Sequence, residues 1–165
     1  MIILGIDPGS AIAGYAILKK NTRDKNNLEI IDFGCIITDH LLPTEKRLKK
    51  IYREILKLIT KHKPSVMSIE SLYFFKNLKT IMPVSQAKGV ILLAAAEKNI
   101  PVLEFTPLQV KMTVAGYGRA EKKQVIEMIK KLLNLENFDL KKNNRKKDDA
   151  FDAIGVAICA AYKSY

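Results

Sequence analysis

The sequence has little of three things: cysteine, long hydrophobic runs and acidic residues. Two cysteines occur in 165 residues, Cys35 and Cys159, so we expect no disulfide framework. No run without a charged residue exceeds 11 residues, against the roughly 20 that a membrane span requires. The first six residues contain no basic segment and an aspartate follows them, so we expect no secretory signal. These absences predict a cytoplasmic protein with no membrane association.

The shortage of acidic residues leaves a strongly basic chain. There are 28 Lys and Arg against 17 Asp and Glu, a net charge of +11, and the isoelectric point is about 9.6. This excess indicates an anionic partner, and nucleic acid suits it better than a membrane surface, because no amphipathic helix is free of core packing. Hydrophobic residues make up 48% of the chain, which is enough for a core and excludes a disordered basic tail. We expect one domain over residues 1–165.

Strand patterns come first along the chain and helical patterns follow. Three apolar runs rich in β-branched residues, 2–6, 14–18 and 28–38, predict an antiparallel meander. From Thr44 onward hydrophobic residues recur about every 3.6 positions, which predicts a surface helix with Thr44 as its N-cap. Further elements are expected as strands at 66–69 and 101–105, and as helices at 82–96, after Thr106, at 120–134 and at 149–162. This order predicts an α/β domain with a mixed sheet.

Four carboxylates are expected to meet at one edge of this sheet. Asp7 and Glu70 end two of the strands, and in open α/β sheets ligands bind outside the carboxyl ends of strands. Asp149 and Asp152 stand three positions apart on the last helix and so share a face. Clustered carboxylates require neutralisation, and hard oxygen ligands suit Mg²⁺ or Mn²⁺. Two such ions roughly 4 Å apart are the usual clamp for phosphodiester hydrolysis, so an acidic cleft in a basic protein predicts a nuclease.

Each of these features also has an ordinary structural explanation. The triplet Asp7-Pro8-Gly9 is by itself a common turn. Acidic residues at the start of a helix, such as Asp148 and Asp149, are what capping and the helix dipole favour. Glu70 is equally compatible with a solvated strand end. The joint order of the carboxylates and their placement at strand ends favour the functional interpretation.

Six short blocks occur along the chain in a set order. They are ILGIDPGS at 3–10 with GYA at 14–16, IE at 69–70 followed by aromatics and KN, QAKGV at 86–90, QVK at 109–111, AEK at 120–122, and DAFDA at 149–153. Together they resemble the RuvC-type Holliday-junction resolvases over nearly the whole chain. The resemblance implies a ribonuclease-H-like fold, a five-stranded mixed sheet flanked by helices, and a homodimer. It also implies Mg²⁺-dependent nicking of two opposing strands of a four-way DNA junction in recombination and repair, beside a branch-migration motor.

Taken position by position, the resemblance assigns roles to individual residues. The metal-binding carboxylates are Asp7, Glu70, Asp149 and Asp152. Asp148 is an alternative to Asp149, but the DAFDA spacing aligns with Asp149 without a gap. Lys111 and Lys122 match basic residues near the cleaved strand.

Two more DNA contacts are expected outside this set. Tyr73, three residues after Glu70, matches an aromatic that stacks on bases at the opened junction, although Phe74 and Phe75 stand beside it. The run at 141–147 leads into the last helix, so we expect it to hold phosphates near the cut instead of being merely solvated. Its five cations are Lys141, Lys142, Arg145, Lys146 and Lys147.

The helix at 82–96 carries an apolar band that predicts a dimer seam, because two symmetric cuts require two active sites related by a two-fold axis. The alternative is a fully buried internal helix. For the function, a metal-dependent junction endonuclease is the main prediction. The alternatives are a non-catalytic junction-binding protein and an ATP-binding domain of the actin and sugar-kinase type, for which 165 residues are too few.

Overall fold

A mixed five-stranded sheet forms the centre of the computed structural model, which describes residues 1–21, 27–71, 78–135 and 147–163. The strands are β1 (Ile2–Asp7), β2 (Ile12–Lys20), β3 (Leu28–Ile37), β4 (Val66–Glu70) and β5 (Val102–Phe105). Their spatial order is β3-β2-β1-β4-β5. The first three strands form the predicted antiparallel meander, while β4 runs parallel to β1 and β5 runs parallel to β4. The mixed sheet expected from the sequence is therefore confirmed.

Helices cover both faces of the sheet. They are α1 (Thr44–His62), α2 (Leu78–Glu97), α3 (Pro107–Ala115), α4 (Lys122–Leu132) and α5 (Lys147–Tyr162). α1 and α2 pack on one face, and α5 packs on the other with α3 and α4 against it. In the part of the chain described, no helix combines the length and apolar character needed to cross a membrane.

Strand alternation decides which residues face which helices. In β1, Ile3 belongs to the core beneath α5, whereas Leu4 and Ile6 belong to the core beneath α1 and α2. Successive side chains of a strand point to opposite faces, so Asp7 shares the α5 face with Ile3. The same alternation in β4 puts Glu70 on that face. Both strands therefore deliver a carboxylate to the layer that α5 occupies.

The starts of four helices differ from prediction, and two of them lie earlier: α2 begins at Leu78 instead of Met82, and α5 begins at Lys147 instead of Asp149. The prediction of Thr44 as the N-cap of α1 is wrong, because Pro43 occupies that position in an extended conformation. The carbonyl oxygen of Pro43 accepts hydrogen bonds from the backbone N–H groups of Lys46 and Arg47.

α4 begins two residues later than the predicted Ala120, after an N-cap at Glu121. The prediction for α3 is confirmed: Thr106 is the N-cap, and its hydroxyl accepts from the backbone N–H of Gln109.

Helix α2 is buried on one side only. Ala87, Ile91 and Ala94 are fully buried, but Met82 is 65% exposed and Leu93 is 52% exposed. The alternative of a fully buried internal helix is therefore wrong, since the outer side of α2 presents large apolar side chains to solvent.

Candidate active site

Asp7 and Glu70 lie side by side at the carboxyl edge of the sheet. The register of the parallel β1–β4 pair places Ile6 opposite Ile69, so the next residue of each strand is a carboxylate. Both side chains are half-buried and both are on the α5 face. This arrangement confirms the predicted convergence at the strand ends.

Two glycines bring the start of α5 down onto these strand ends. Gly14 of β2 pairs with Asp7 of β1, and a Cβ on Gly14 would lie 1.9 Å from the carbonyl oxygen of Asp149. A Cβ on Gly5 would lie 2.3 Å from the carbonyl oxygen of Ala153. Any larger residue at either position would hold α5 away from the sheet. The glycines therefore set how close the α5 carboxylates come to Asp7.

The first two turns of α5 carry three acidic residues in different surroundings. Asp152 lines the crevice beside Asp7, and Asp149 is half-buried. Asp148 is exposed. Repulsion from Asp149 contributes to the raised pKa of Asp7, whereas Asp148 acts on Asp152 and Lys122. The surroundings of the two residues thus favour Asp149 over Asp148 as the one turned toward Asp7.

A crevice of about 340 Å³ opens at this edge. It is lined by Asp7, Glu70, Pro107, Val110, Lys111, Lys122, Val125 and Asp152. Lys111 comes from α3 and Lys122 is the first residue of α4. Both lysines predicted to lie near a cleaved strand therefore face the same crevice as the carboxylates.

Lys122 is the counter-ion of Asp152. Its Nζ lies 2.8 Å from Oδ2 of Asp152, to which it donates a hydrogen bond, and 3.8 Å from Oδ2 of Asp148. Burial disfavours the ammonium, but the bond to Asp152 and the surrounding carboxylates outweigh it and raise the pKa of Lys122. Across the described ranges, no three His, Cys, Asp or Glu side chains form a ready-made group of metal ligands. The Lys122 ammonium thus supplies the positive charge beside Asp152 that a metal ion would otherwise supply.

Lys122 does not neutralise the whole crevice. Burial, reinforced by repulsion from Glu70, Asp152 and Asp149, raises the pKa of Asp7 from 3.8 to about 8. Burial and repulsion from Asp152 raise the pKa of Glu70 from 4.5 to about 7. Burial also raises the pKa of Asp152, although the hydrogen bond from Lys122 opposes it. These carboxyl groups ionise more readily when a cation is bound beside them, and their hard oxygen atoms suit a divalent metal ion.

Other predicted contacts lie outside the residues that the structure describes. This applies to Tyr73 and to Lys141, Lys142, Arg145 and Lys146. Lys147 begins α5, but its side chain is also outside the description. Their assignments remain predictions.

The sequence reasoning missed the positioning role of Gly5 and Gly14. A signal was present, because glycine inside an apolar strand marks a place where another backbone approaches closely. It also missed the ion pair of Lys122 with Asp152, because the two residues are 30 positions apart and no sequence pattern links them.

The chain matches a known protein family over nearly its whole length. A family model described as crossover junction endodeoxyribonuclease RuvC matches residues 3–160. The chain belongs to this family. A RuvC of Alkaliphilus metalliredigens is 49% identical over 165 residues, covering 100% of this chain and 95% of the relative. The RuvC of Fusobacterium nucleatum subsp. nucleatum is 48% identical over 158 residues, covering 96% and 78%.

Solved structures agree with the family assignment. T. thermophilus RuvC in complex with Holliday junction substrate has a TM-score of 0.86 and 26% identity, covering 98% of this chain and 93% of that one. The yeast mitochondrial Holliday junction resolvase Ydc2, at 16% identity, shares the fold with a TM-score of 0.67, covering 96% and 78%. The predicted ribonuclease-H-like fold is thereby confirmed. As a RuvC family member the chain is an endonuclease, which rules out the two alternative functions, and its family implies dependence on a divalent metal.

Proposed function

We propose that this chain resolves four-way DNA junctions by paired, symmetric nicks in opposing strands, in homologous recombination and DNA repair. The observation that carries the proposal is the crevice in which Asp7, Glu70 and Asp152 stand beside Lys111 and Lys122. A phosphodiester in such a crevice meets cationic side chains that bind it and carboxylates suited to a divalent cation. The T. thermophilus relative, described as a complex with Holliday junction substrate, supports the choice of DNA.

We propose Mg²⁺ as the metal, two ions per active site, with Mn²⁺ as a substitute. The ligands would be Asp7, Glu70, Asp149 and Asp152. When bound, the metal polarises the phosphate and lowers the pKa of water. Asp7 and Glu70 give up protons as they ionise, so metal affinity is expected to rise with pH.

Lys111 and Lys122 are proposed to bind and orient the phosphate from the α3 and α4 sides. The Lys122 ammonium would be displaced by a metal ion bound to Oδ2 of Asp152 and would then be free for the substrate. No side chain is required as a covalent nucleophile. We propose the further DNA contacts of Tyr73 and of the 141–147 run on the strength of the sequence alone.

We propose a homodimer that forms through the outer side of α2. Met82, Gly89 and Leu93 recur at spacings of seven and four residues and so share one face. A Cβ on Gly89 would meet nothing within 4 Å, which leaves room for a second backbone. Two copies related by a two-fold axis would offer one crevice to each of two opposing strands. We also propose a cytoplasmic setting and cooperation with a branch-migration motor, both of which the family resemblance supports.

The test is cleavage of an end-labelled synthetic four-way junction with Mg²⁺. Wild type is expected to nick two opposing strands at symmetric positions. Asp7→Asn and Glu70→Gln are expected to bind the junction and leave it uncut. Glu127→Gln, on the exposed side of α4, is the matched control and keeps wild-type cleavage.

A second comparison separates the two candidate ligands on α5. Asp149→Asn is expected to lose cleavage, whereas Asp148→Asn retains it. Wild-type protein that binds the junction but never cuts it, or an Asp7→Asn variant that still cuts, contradicts the proposed function.

A further inference from the structure

The outward face of α1 carries a row of positive charge that the active site does not use. The row, named here the α1 stripe, consists of Lys46, Lys49, Lys50, Arg53 and Lys57. Steps of three, four, seven and eleven residues from Lys46 put all five on one side of the helix. All five are exposed, and the buried side opposite contains Ile51, Ile55 and Ile59.

The α1 stripe is largely without acidic partners. Nζ of Lys57 lies 2.7 Å from Oε1 of Glu54, but among the described residues no carboxylate lies within 4.0 Å of the other four cations. Elsewhere, Lys19, Lys61 and Lys88 each have an acidic partner. Like charges three and four residues apart repel one another, and an anion bound along the helix would relieve that repulsion.

The α1 stripe starts at the sheet edge that contains the crevice. Nε of Arg47, in the first turn of α1, donates to Oγ1 of Thr38 at 3.0 Å. That hydroxyl in turn donates to the carbonyl oxygen of Ser10 at 2.7 Å. Ser10 is three residues after Asp7, so hydrogen bonds connect the N-terminus of α1 to the loop that follows β1. From there α1 runs across the face of the sheet opposite to α5.

We propose that the α1 stripe binds the phosphate backbone of duplex DNA, as a second contact surface for an arm that leaves the crevice. Lys46 to Lys57 spans about 17 Å at 1.5 Å per residue. One strand of B-DNA places roughly five phosphates over that distance, at 3.4 Å of axis rise each. The number of cations and their reach therefore match one strand. The inference rests on the proposed function only in taking DNA as the partner.

An anionic bilayer fits the α1 stripe less well than DNA does. Helices that lie on bilayers insert apolar side chains beside their cations. The apolar residues of α1 instead face the core, and its cations line a shallow groove of about 360 Å³ together with Glu54. Such a surface can bind a charged backbone without offering anything to a hydrocarbon layer.

The test is a salt titration of DNA binding without divalent metal. A variant with Lys46, Lys49, Lys50 and Arg53 all replaced by Gln is compared with wild type, using a fluorescent four-way junction with 25-base-pair arms in EDTA. Because each neutralised phosphate adds about 0.9 to the slope of log K against log salt, the variant is expected to lose about 3 to 4 from that slope. Affinity at low salt is expected to fall accordingly.

A matched control removes the same charge from scattered places. It replaces Lys19, Lys63, Lys98 and Lys131, all exposed, with Gln. The control is expected to change the slope by less than 1, and equal melting temperatures confirm that both variants fold. A variant slope equal to that of wild type, or equal losses in the variant and the control, overturns the proposal. The proposal is also overturned if the α1 stripe variant loses binding to phosphatidylserine vesicles but still binds DNA as wild type does. If wild type cuts no junction but the slopes differ as expected, the proposed function fails and the α1 stripe stands.

Discussion

Replacing Asp7 with asparagine is expected to stabilise the metal-free protein at neutral and alkaline pH while abolishing cleavage. The Asp7 carboxylate is desolvated and is repelled by Glu70, Asp152 and Asp149, so its pKa in the folded protein is about 8 against an ordinary 3.8. Asparagine has nearly the same shape and no charge. The substitution therefore removes a group whose ionisation opposes folding.

The sign and size follow from proton linkage. Between pH 4 and pH 8 the unfolded chain has released the Asp7 proton and the folded protein retains it, so the free energy of unfolding falls as pH rises through this window. The loss is at most about 1.4 kcal/mol per pH unit for one group. From pH 5 to pH 7 the advantage of Asp7→Asn over wild type should grow by up to about 3 kcal/mol. At roughly 2–4 °C per kcal/mol, the melting temperatures should diverge by up to about 6–12 °C.

Thermal unfolding in EDTA at pH 5, 6, 7 and 8 measures this divergence. Saturating Mg²⁺ should then stabilise wild type, by about 2.7 kcal/mol at a hundredfold excess over Kd, and should stabilise Asp7→Asn far less. The reasoning is refuted if Asp7→Asn melts no higher than wild type at pH 8, or if the difference between the two proteins does not change with pH.

Three other substitutions test separate parts of the site. Gly14→Ala is expected to destabilise the protein by about 1–3 kcal/mol and to weaken metal binding, because its Cβ collides with the carbonyl of Asp149. Calorimetry measures both effects, and a variant as stable as wild type contradicts the close approach of α5. Lys122→Gln should raise the pKa values of Asp7, Glu70 and Asp152 further and should slow junction cleavage. NMR titration measures the pKa values, and unchanged values contradict the role given to the Lys122 ammonium. Leu93→Glu should yield monomers in sedimentation, and a persistent dimer contradicts the proposed α2 interface.

Much of the catalytic layout can be predicted from local sequence. Each of Asp7 and Glu70 directly follows a short apolar run, and the binding of ligands at the carboxyl ends of strands is enough to predict one edge for both. That both lie on one face follows from the parallel register of β1 and β4. The helical spacing of Asp149 and Asp152 is equally local. Thr106 as an N-cap was predictable for the same reason, whereas Thr44 failed because Pro43 took the cap position through its restricted backbone.

The sequence by itself determined the fold class and the family, and it predicted the site carboxylates, because these depend on periodicity and on short blocks in order. Only the tertiary structure decided the electrostatics. Distances between segments remote in sequence decide the raised pKa of Asp7 and the pairing of Lys122 with Asp152. They also decide that, among the residues described, only one cation of the α1 stripe has an acidic partner. Burial and Coulomb interactions act through space, so residue order along the chain does not encode them directly.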